Sequence, residues 1–512
     1  MAANGVTIFP GSQKNNLLFT YTSGRFLFNE DLRLKERYME FDVKAFKQLA
    51  AEHIGSGHGN VVSITKFAEG GFNQVFLLTM EDGFEAIAKI SYHIAVPKRY
   101  ATVSEAATLD LLRLKGIPVP MVYGYSASLD NPSGMQYIIM EKASGIPIES
   151  KWLTMTKQQR YKLASSYVEI ENKFFNIPFN SIGSIYYRRD IPLEFQAPLF
   201  SKDCNEDSLS ETFCISHTTD YIRLTTNDPK DFLHAIAERE LTWTRKYGQP
   251  LELDFPLNGP FPGKHDPEQY IALLGIYIDL IPYLLPKDRS HPLNQPTLRH
   301  PDLNPNNVFI SPETGGITCI IDWQHTTIEP RLLTAGYPRM FENPGIEETK
   351  DLKDPSLIPE YNTLGSEEKQ EVDEIFRRQI LNHYYGAFTC ELNRPHVDAL
   401  KDPLLRPRQH LVDRAGRQWN GNILVLKGAL PGDVEEFEKQ EEILFGLNAT
   451  VEHWRAQLGV NEDGWIHDGQ YEDAVKGVQE LKNHLLAIAD GDEEDIELLH
   501  KDWMFRDYEE VN

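Results

Sequence analysis

The most informative stretch of the chain reads HPDLNPNN at residues 300–307. Two apolar runs, joined by the turn-forming letters SPETGG, follow it and end in IDW at residues 321–323. This pattern predicts a polar loop, then a short β-hairpin that delivers a carboxylate at its far end. Because a hairpin returns the chain, we expect Asp322 to lie near Asn307 and Asp302.

These three side chains suit phosphoryl transfer. One carboxylate is needed to orient the attacking hydroxyl and accept its proton, and oxygen ligands are needed for Mg²⁺. We assign the first role to Asp302 and predict Asn307 and Asp322 as metal ligands. The competing interpretation is a polar turn in which Asp and Asn side chains satisfy local backbone groups. For residues 300–307 in isolation that alternative is favoured, so upstream features must decide.

A glycine-rich segment upstream, EGGFN at residues 69–73, is a candidate phosphate clamp. Glycines allow backbone N–H groups to approach phosphate oxygens. The candidate nucleotide-binding residues here are Gly70, Gly71, Phe72 and Asn73. The segment lies between two predicted strands, so a plain hairpin turn is the competing interpretation.

Lys89 ends the run AIAK, and Glu105 lies sixteen residues further on in the next predicted helix. Unpaired burial of a lysine charge is costly, so a partner is expected. We predict that Glu105 pairs with Lys89 and aims its ammonium group at the α- and β-phosphates of a nucleotide. Alternatively, Thr102 and Glu105 form a capping box at the start of the helix.

A third candidate nucleotide contact lies at the end of a predicted strand. Met140, Glu141 and Lys142 follow that strand and precede a small-residue segment. In a two-lobed protein this is where the chain crosses between lobes and backbone groups can read adenine. A simple strand-to-loop transition would have the same appearance.

The coarse pattern predicts an α+β fold with a small sheet-rich N-lobe and a larger helical C-lobe. Strands are predicted at 61–64, 75–80, 86–90, 121–125 and 136–140, with one helix at 102–114. Further helices are predicted at 31–51, 157–175, 230–246, 267–285, 366–390, 433–458 and 471–489, and an acidic surface excursion at 188–228. The predicted domains are an N-terminal extension (1–55), a nucleotide-binding N-lobe (56–142), a C-lobe with the catalytic loop and a helical insertion (143–345), and a charged helical C-terminal extension (346–512).

Composition limits the partners. The 512 residues include 51 basic and 76 acidic side chains, for a formal net charge of −25. Such a field repels polyanions, so nucleic acid is not an expected partner. The longest apolar stretch, residues 270–286, contains Asp279 and Pro282 and is too short for a membrane span. The four cysteines show no metal-binding spacing and favour a reducing compartment.

Six stretches together resemble one family: EGGFN, AIAK, SEAATLDLLRLKGIPVP, YIIMEKASG, HPDLNPNN and IIDW. They are similar to the landmarks of the aminoglycoside phosphotransferase and choline kinase-like family, which has a protein-kinase-like fold. The resemblance covers roughly residues 60–335. Within that family, YTSGRFLFNEDLRLKERY and IIDWQHTTIEPRLL resemble fungal phosphotransferase-like proteins named "altered inheritance of mitochondria".

The resemblance implies ATP-dependent phosphorylation of a hydroxyl on a small-molecule acceptor, with ATP and Mg²⁺ as cofactors. Carried over by position, Lys89 and Glu105 form the ion pair, Asp302 serves the acceptor, and Asn307 and Asp322 bind the metal. It also implies a mitochondrial location, with the cytoplasm as the alternative. The N-terminal sequence has only two basic residues before Glu30, so an ordinary extension is favoured over a cleaved presequence.

Two positions depart from the family pattern. Pro301 replaces a glycine that is usual before the catalytic Asp, and Asn304 replaces a frequent His or Lys two positions after it. Asn304 removes a positive charge near the transferring phosphate, and the adjacent Arg299 is a candidate replacement. A nucleotide-binding pseudokinase or scaffold, acting through protein partners on the C-terminal helices, therefore remains the alternative to an active enzyme. A protein kinase is less favoured because no DFG or APE segment follows Asp322.

Overall fold

The predicted division into a sheet-rich and a helical lobe is confirmed by a computed structural model of the chain. The structure describes residues 16–92, 94, 97–201, 204, 207–219, 225–343, 355–430, 434–489, 493–501 and 503–507. No helix within these ranges is long and apolar enough to cross a membrane. Parts of the predicted domains and segments lie outside the described residues, namely 1–15, 93, 95–96, 202–203, 205–206, 220–224, 344–354, 431–433, 490–492, 502 and 508–512.

The N-terminal segment contains α1 (Asn16–Phe19), β1 (Arg25–Phe26), α2 (Glu30–Glu36) and α3 (Val43–Ile54). The prediction of one helix over residues 31–51 is wrong, because the chain leaves the helical conformation between α2 and α3. Asp42 caps α3 by accepting a hydrogen bond from the Ala45 N–H at 2.9 Å. Met39 and Phe41, just before this cap, are buried in the core of the N-lobe together with Phe46 of α3. Burial of these side chains outweighs the helical pattern of the charged residues around them.

The N-lobe sheet has the order β2-β3-β4-β6-β5, and its paired strands are antiparallel. All five predicted strands and the predicted helix are confirmed. Their bounds are β2 (Val61–Glu69), β3 (Asn73–Met80), β4 (Glu85–Ser91), α4 (Lys98–Leu114), β5 (Val122–Ser126) and β6 (Tyr137–Glu141). On β3, Phe76, Leu78 and Met80 alternate with less buried residues, the period-two pattern of a strand with one core face.

The first part of the C-lobe contains the predicted helices. The elements are β7 (Ile146–Pro147), α5 (Lys157–Phe175), β8 (Ser184–Tyr187), α6 (Asp207–Thr212), β9 (Phe213–Ser216), α7 (Pro229–Tyr247) and α8 (Pro267–Leu284). The prediction of a surface excursion at 188–228 is wrong for its middle part, because β9 pairs with β8 and Phe213 and Cys214 are buried. Strand β9 has only four residues and lies among acidic and turn-forming residues, so its hydrophobic pattern is too short to be recognised in the sequence.

The second part carries the predicted hairpin. Its elements are β10 (Pro296–Leu298), β11 (Val308–Ile310), β12 (Ile317–Ile320), β13 (Ile328–Pro330) and α9 (Arg331–Thr334). Strands β11 and β12 are antiparallel, with Val308 opposite Ile320, and β7 extends this sheet on the other edge of β11. The apolar runs around SPETGG therefore form the returning hairpin that the sequence predicts.

The C-terminal part is helical, as predicted. It contains α10 (Ser366–Leu392), α11 (Arg394–Leu400), α12 (Leu405–Ala415), α13 (Leu424–Ala429), α14 (Val434–Leu458), β14 (Trp465–Ile466), α15 (Tyr471–Ile488) and α16 (Glu493–Lys501). Tyr384 and Tyr385 of α10 join the core of the C-lobe, and β14 pairs with β1 near the other end of the chain. Both terminal segments thus pack on the lobes, and the domain limits drawn from the sequence remain a prediction.

Candidate active site

Lys89 lies on β4 and is held by a carboxylate from α4. Its Nζ atom lies 2.8 Å from Glu105 Oε1 and 3.0 Å from Glu105 Oε2, and both residues are buried. Helix α4 begins at Lys98, so Thr102 lies inside the helix and cannot act as its N-cap. The capping-box interpretation of Glu105 is therefore wrong, and the structure brings Glu105 to Lys89 instead.

Asp322 reaches the same lysine from the C-lobe. The Lys89 Nζ atom lies 2.6 Å from Asp322 Oδ1. Asp322 follows β12 and has a φ of 63°, in the left-handed region that non-glycine residues seldom adopt. The Asp322 side chain is 42% exposed, whereas that of Glu105 is only 3% exposed. Lys89 therefore joins one buried carboxylate to one that is partly exposed.

His300 joins the loop of residues 300–307 to the chain just before Asp322. Its Nδ1 atom accepts a hydrogen bond from the Asp302 N–H at 3.1 Å, which leaves Nε2 to donate to the Ile321 carbonyl at 2.9 Å. The ring is buried and contacts Trp323 edge-on, with ring centroids 4.6 Å apart. The histidine thus fixes the distance between the Asp302 loop and the end of the hairpin.

The other polar residues of the loop bond locally. The Asn304 side chain donates to Asp302 Oδ2 at 2.7 Å, and the Asn307 side chain donates to the Asp302 carbonyl at 2.9 Å. The Asn307 carbonyl in turn accepts from the Ile321 N–H at 2.9 Å. Asp302 itself is exposed. The turn interpretation is correct for the two asparagines, and it coexists with an exposed Asp302 whose loop is joined to the residue before Asp322 through His300 and Asn307.

The glycine-rich segment forms the turn between β2 and β3. The Gly70 N–H donates to the Asn73 carbonyl at 2.9 Å, as in a hairpin, and Phe72 is 58% exposed. A Cβ atom added at Gly70 would lie 3.8 Å from the Asn73 carbonyl oxygen, and one added at Gly71 would have no atom within 4 Å, so the turn is not crowded at either glycine. The turn is anchored through Asn73, whose amide donates to Gln324 Oε1 at 2.7 Å.

Gln324 was not among the residues singled out from the sequence. It lies two residues after Asp322 and connects the hairpin end of the C-lobe to the glycine-rich turn of the N-lobe. Ser91 supports the same contact by donating to Asn73 Oδ1 at 2.9 Å. The only available signal was a polar residue immediately after IDW.

The crossing segment uses its side chains in salt bridges. Glu141 lies 3.0 Å from Arg113, and Lys142 lies 2.6 Å from Glu85. The Glu141 N–H donates to the Met121 carbonyl at 2.8 Å, and Met140 is buried. Any backbone contact with adenine from this segment must therefore use groups other than the Glu141 N–H.

Electrostatics favour charged forms of Lys89 and Asp322. Burial lowers the pKa of Lys89, but the carboxylates of Asp322 and Glu105 outweigh it and hold that pKa above its usual value. Lys89 in turn lowers the pKa of the Asp322 carboxyl. Burial raises the pKa of Glu105, an effect that Lys89 only partly offsets. The site therefore presents a permanent cation beside a carboxylate that remains ionised.

Arg299 does not replace the charge that is missing at Asn304. Its guanidinium group donates to the Thr334 carbonyl at 2.7 Å and to the Gly336 carbonyl at 3.1 Å. These bonds join the residue before His300 to the end of α9 and to the segment that follows it. The expectation that Arg299 supplies charge to a phosphate is not supported by this position.

The donor set suits a hard cation. Asn307 and Asp322 offer an amide and a carboxylate oxygen on two chain segments that are joined by the bond from the Ile321 N–H to the Asn307 carbonyl. Mg²⁺ in nucleotide sites takes one or two protein carboxylate or amide oxygens and completes its shell with phosphates and water. These residues fit that requirement.

Comparison with known proteins identifies relatives over most of the chain. A family model described as the phosphotransferase enzyme family matches residues 63–333. A subtelomeric hrmA-associated cluster protein of Aspergillus fumigatus is 30% identical over 504 residues, which cover 87% of this chain and 97% of that protein. Altered inheritance of mitochondria protein 9, mitochondrial, of Candida albicans is 24% identical over 517 residues, which cover 86% of this chain and 80% of that protein.

Among solved structures, the chain is similar to the streptomycin–ATP–APH(2")-IIa ternary complex. The sequence identity is 14%, the TM-score is 0.39, and the match covers 78% of this chain and 99% of the other.

Proposed function

The chain belongs to the phosphotransferase enzyme family, and we propose that it transfers the γ-phosphate of ATP to a hydroxyl group of a small-molecule acceptor. The observation that carries this proposal is the position of Lys89, between Glu105 of the N-lobe and Asp322 of the C-lobe. A lysine fixed in this way presents its ammonium group to the α- and β-phosphates at the entrance between the lobes. The net negative charge of the protein opposes this binding only weakly, because solvent ions screen distant charges whereas the local cation and a bound metal act at short range.

Each residue of the loop has a defined part in the proposed reaction. Asp302 accepts the proton of the acceptor hydroxyl as that oxygen attacks the γ-phosphorus, and the bond to the bridging oxygen of ADP breaks. The bond from Asn304 to Asp302 Oδ2 directs the other carboxylate oxygen toward the hydroxyl. Asn307 and Asp322 would hold Mg²⁺, which supplies charge neutralisation at the phosphate oxygens when bound.

A nucleotide-binding scaffold is the second candidate function. The observation that favours it is Asn304, which bonds to Asp302 at a position where the family often has a cation. With Arg299 engaged by two carbonyls, this loop brings no positive charge to the transferring phosphate. A scaffold would bind nucleotide through Lys89 but act through protein partners, and the C-terminal helices are our proposed surface for them.

Melting temperatures with and without MgATP provide the first test. We expect MgATP to raise the melting temperature of the wild-type protein, and Asp322→Ala to remove that increase. Asp130→Ala, which changes an exposed carboxylate between β5 and β6, is the matched control and should retain the increase. If wild-type protein shows no nucleotide-dependent shift, both the enzyme and the scaffold proposals are wrong.

Transfer itself is the second test. Wild-type protein with [γ-³²P]ATP and a panel of hydroxyl and amine metabolites should label at least one acceptor, and Asp302→Ala should bind MgATP without labelling any. Binding without transfer to any member of the panel would favour the scaffold.

We also infer a mitochondrial location, since relatives that are named as mitochondrial proteins match most of the chain. Fractionation of cells that express the full chain with a C-terminal tag tests this inference against the cytoplasmic alternative.

A further inference from the structure

We propose that Tyr187, on the C-lobe hairpin formed by β8 and β9, is a positioning residue that holds α4 so that Glu105 stays bonded to Lys89. The inference rests on the proposed function, because it concerns the same ion pair. It assigns a role to a segment that the reaction itself does not use.

Helix α4 is enclosed on more than one side. Every residue from 101 to 109 is buried, including the polar Thr102, Ser104 and Thr108. A helix that only covered a sheet would keep a polar, exposed face. Here the N-lobe sheet covers one side, and the hairpin of β8 and β9 covers another.

The hydroxyl of Tyr187 bonds to the helical turn that follows Glu105. It lies 3.3 Å from the Ala106 carbonyl oxygen and also contacts the Asp110 carboxylate. Burial raises the pKa of the Asp110 carboxyl, although the bond from Tyr187 opposes that rise. Because Ala106 directly follows Glu105, a shift of this turn would carry the Glu105 side chain with it.

The ring of Tyr187 is itself fixed. It stacks on Tyr125 with centroids 5.7 Å apart and on Phe213 with centroids 5.2 Å apart, and the Arg189 guanidinium lies 4.3 Å from its centroid. The Tyr125 hydroxyl donates to Asp190 Oδ2 at 2.6 Å. Tyr125 belongs to the N-lobe strand β5, so these contacts hold the hairpin against both the sheet and α4.

The consequence is a preassembled ion pair. The Lys89–Glu105 bonds measure 2.8 and 3.0 Å, and the contacts of Tyr187 hold the helix that carries Glu105. Groups that are held in their productive geometry before the substrate arrives do not need to be ordered during binding. Because β8 and β9 pack against α4, the helix cannot move away from Lys89. The site is therefore not inactivated by a displacement of α4.

The test compares Tyr187→Phe with Tyr277→Phe. Both tyrosine hydroxyls donate to a helical carbonyl, and that of Tyr277 bonds to Leu233 at 3.2 Å, between α7 and α8. Three readouts apply: amide hydrogen exchange along α4, acylation of Lys89 by an amine-reactive reagent, and kcat and KM for ATP.

In Tyr187→Phe we expect amide exchange in α4 to accelerate about tenfold, which is the size expected for loss of one hydrogen bond to a charged group. We also expect faster acylation of Lys89 and a lower kcat. Tyr277→Phe should change only the melting temperature.

Asp110 supplies the confirming variants. Asp110→Asn keeps an acceptor for the Tyr187 hydroxyl and should behave like wild type, whereas Asp110→Ala should reproduce Tyr187→Phe. If Tyr187→Phe fails to fold, Asp110→Ala replaces it in the comparison. Exchange in α4 and Lys89 acylation equal to those of Tyr277→Phe would overturn the proposal. Both are measured on the unliganded chain, so the result is independent of whether the protein transfers phosphate.

Discussion

Lys89 Nζ and Asp322 Oδ1 lie 2.6 Å apart, so a strand of the N-lobe and a loop of the C-lobe meet in one ion pair. The same ammonium group contacts Glu105 on its other side. Glu105 is buried and Asp322 is 42% exposed, so of the two carboxylates only that of Asp322 has solvent-accessible surface to offer to the metal that we propose. The exposed carboxylate is the one that an arriving metal–nucleotide complex would recruit.

Removal of Lys89 should destabilise the fold, because it leaves the buried Glu105 carboxylate without its ion-pair partner. Breaking a buried pair by removing one partner costs about 3–5 kcal/mol of unfolding free energy. We expect Lys89→Met to lose an amount in this range at pH 8, measured by urea unfolding. The double variant Lys89→Met/Glu105→Gln should recover most of it, because the carboxylate that still lacks its lysine is then Asp322, whose side chain is 42% exposed, and not the buried Glu105.

The pH dependence of Lys89→Met gives an independent check. Burial already raises the pKa of Glu105, and without Lys89 this rise should be larger. A carboxyl with a raised pKa in the folded state stabilises the fold at low pH, and that contribution is lost as the pH rises through the folded-state pKa. Lys89→Met should therefore be least destabilised near pH 4.5, and Glu105→Gln should remove this pH dependence. An equal loss of unfolding free energy in Lys89→Met at pH 8 and at pH 4.5 would show that Glu105 is not the source of the destabilisation.

Two substitutions of Asn304 separate its two bonds. Its amide donates to Asp302 Oδ2, and its Oδ1 atom accepts from the Asn306 N–H at 2.8 Å. Asn304→Asp keeps the acceptor but places a second negative charge beside Asp302, whereas Asn304→Ala removes both bonds. We expect kcat to fall about tenfold in Asn304→Ala, and further in Asn304→Asp, with little change in MgATP affinity. A kcat for Asn304→Asp above that of Asn304→Ala would mean that the acceptor bond matters more than the charge.

The part of the fold predicted from the sequence is the part set by local patterns. The apolar runs around SPETGG predict the β11–β12 hairpin, and a hairpin places Asp322 near Asn307 whatever the rest of the chain does. The Lys89–Glu105 pair was also predicted, because a lysine on an apolar strand needs a partner. The first inference depends on the short spacing of the two apolar runs. The second depends on the free-energy cost of burying an unpaired charge.

The remaining features depend on contacts between distant segments. Gln324 reaches Asn73 across 251 positions, and neither residue carries a local signal for the other. Tyr187 reaches Asp110 across 77 positions, from a four-residue strand that ends just before the acidic stretch at 188–228. The break before α3 arises because Phe41 is buried in the N-lobe core, a tertiary effect that helical periodicity cannot show.

Protonation of His300 should weaken the catalytic loop at acid pH. Burial lowers the pKa of His300, partly opposed by its bond to the Ile321 carbonyl and by the carboxylates of Asp322 and Asp302. A histidine with a lowered pKa binds fewer protons when folded than when unfolded, so stability falls as the pH drops below the unfolded value of about 6.5. A second ring proton would also face the Asp302 N–H.

We expect the unfolding free energy to fall by up to about 1.4 kcal/mol per pH unit below pH 6.5 from this residue. In His300→Gln, the unfolding free energy measured by urea unfolding should fall less steeply between pH 7 and pH 5 than in the wild-type protein. Parallel wild-type and variant profiles across this range would assign the acid sensitivity to other groups.

Gly145 should be required for the position of the hairpin. Its φ is +91°, and a Cβ atom there would lie 2.5 Å from both the Ile310 carbonyl oxygen and Thr318 Oγ1, on the two strands that precede and follow the SPETGG turn. Gly145→Ala therefore combines backbone strain with displacement of the strands that carry Asn307 and Asp322. Gly134→Ala is its matched control, because Gly134 has a φ of +73° but no atom within 4 Å of the added methyl group.

We expect Gly134→Ala to lose about 1–2 kcal/mol of unfolding free energy and to keep the melting-temperature increase with MgATP. Gly145→Ala should lose more stability and also lose that increase, since displaced strands would carry the proposed metal ligands out of place. If both variants respond to MgATP as the wild-type protein does, the site does not depend on the exact position of β11 and β12, and Asn307 and Asp322 are not its ligands.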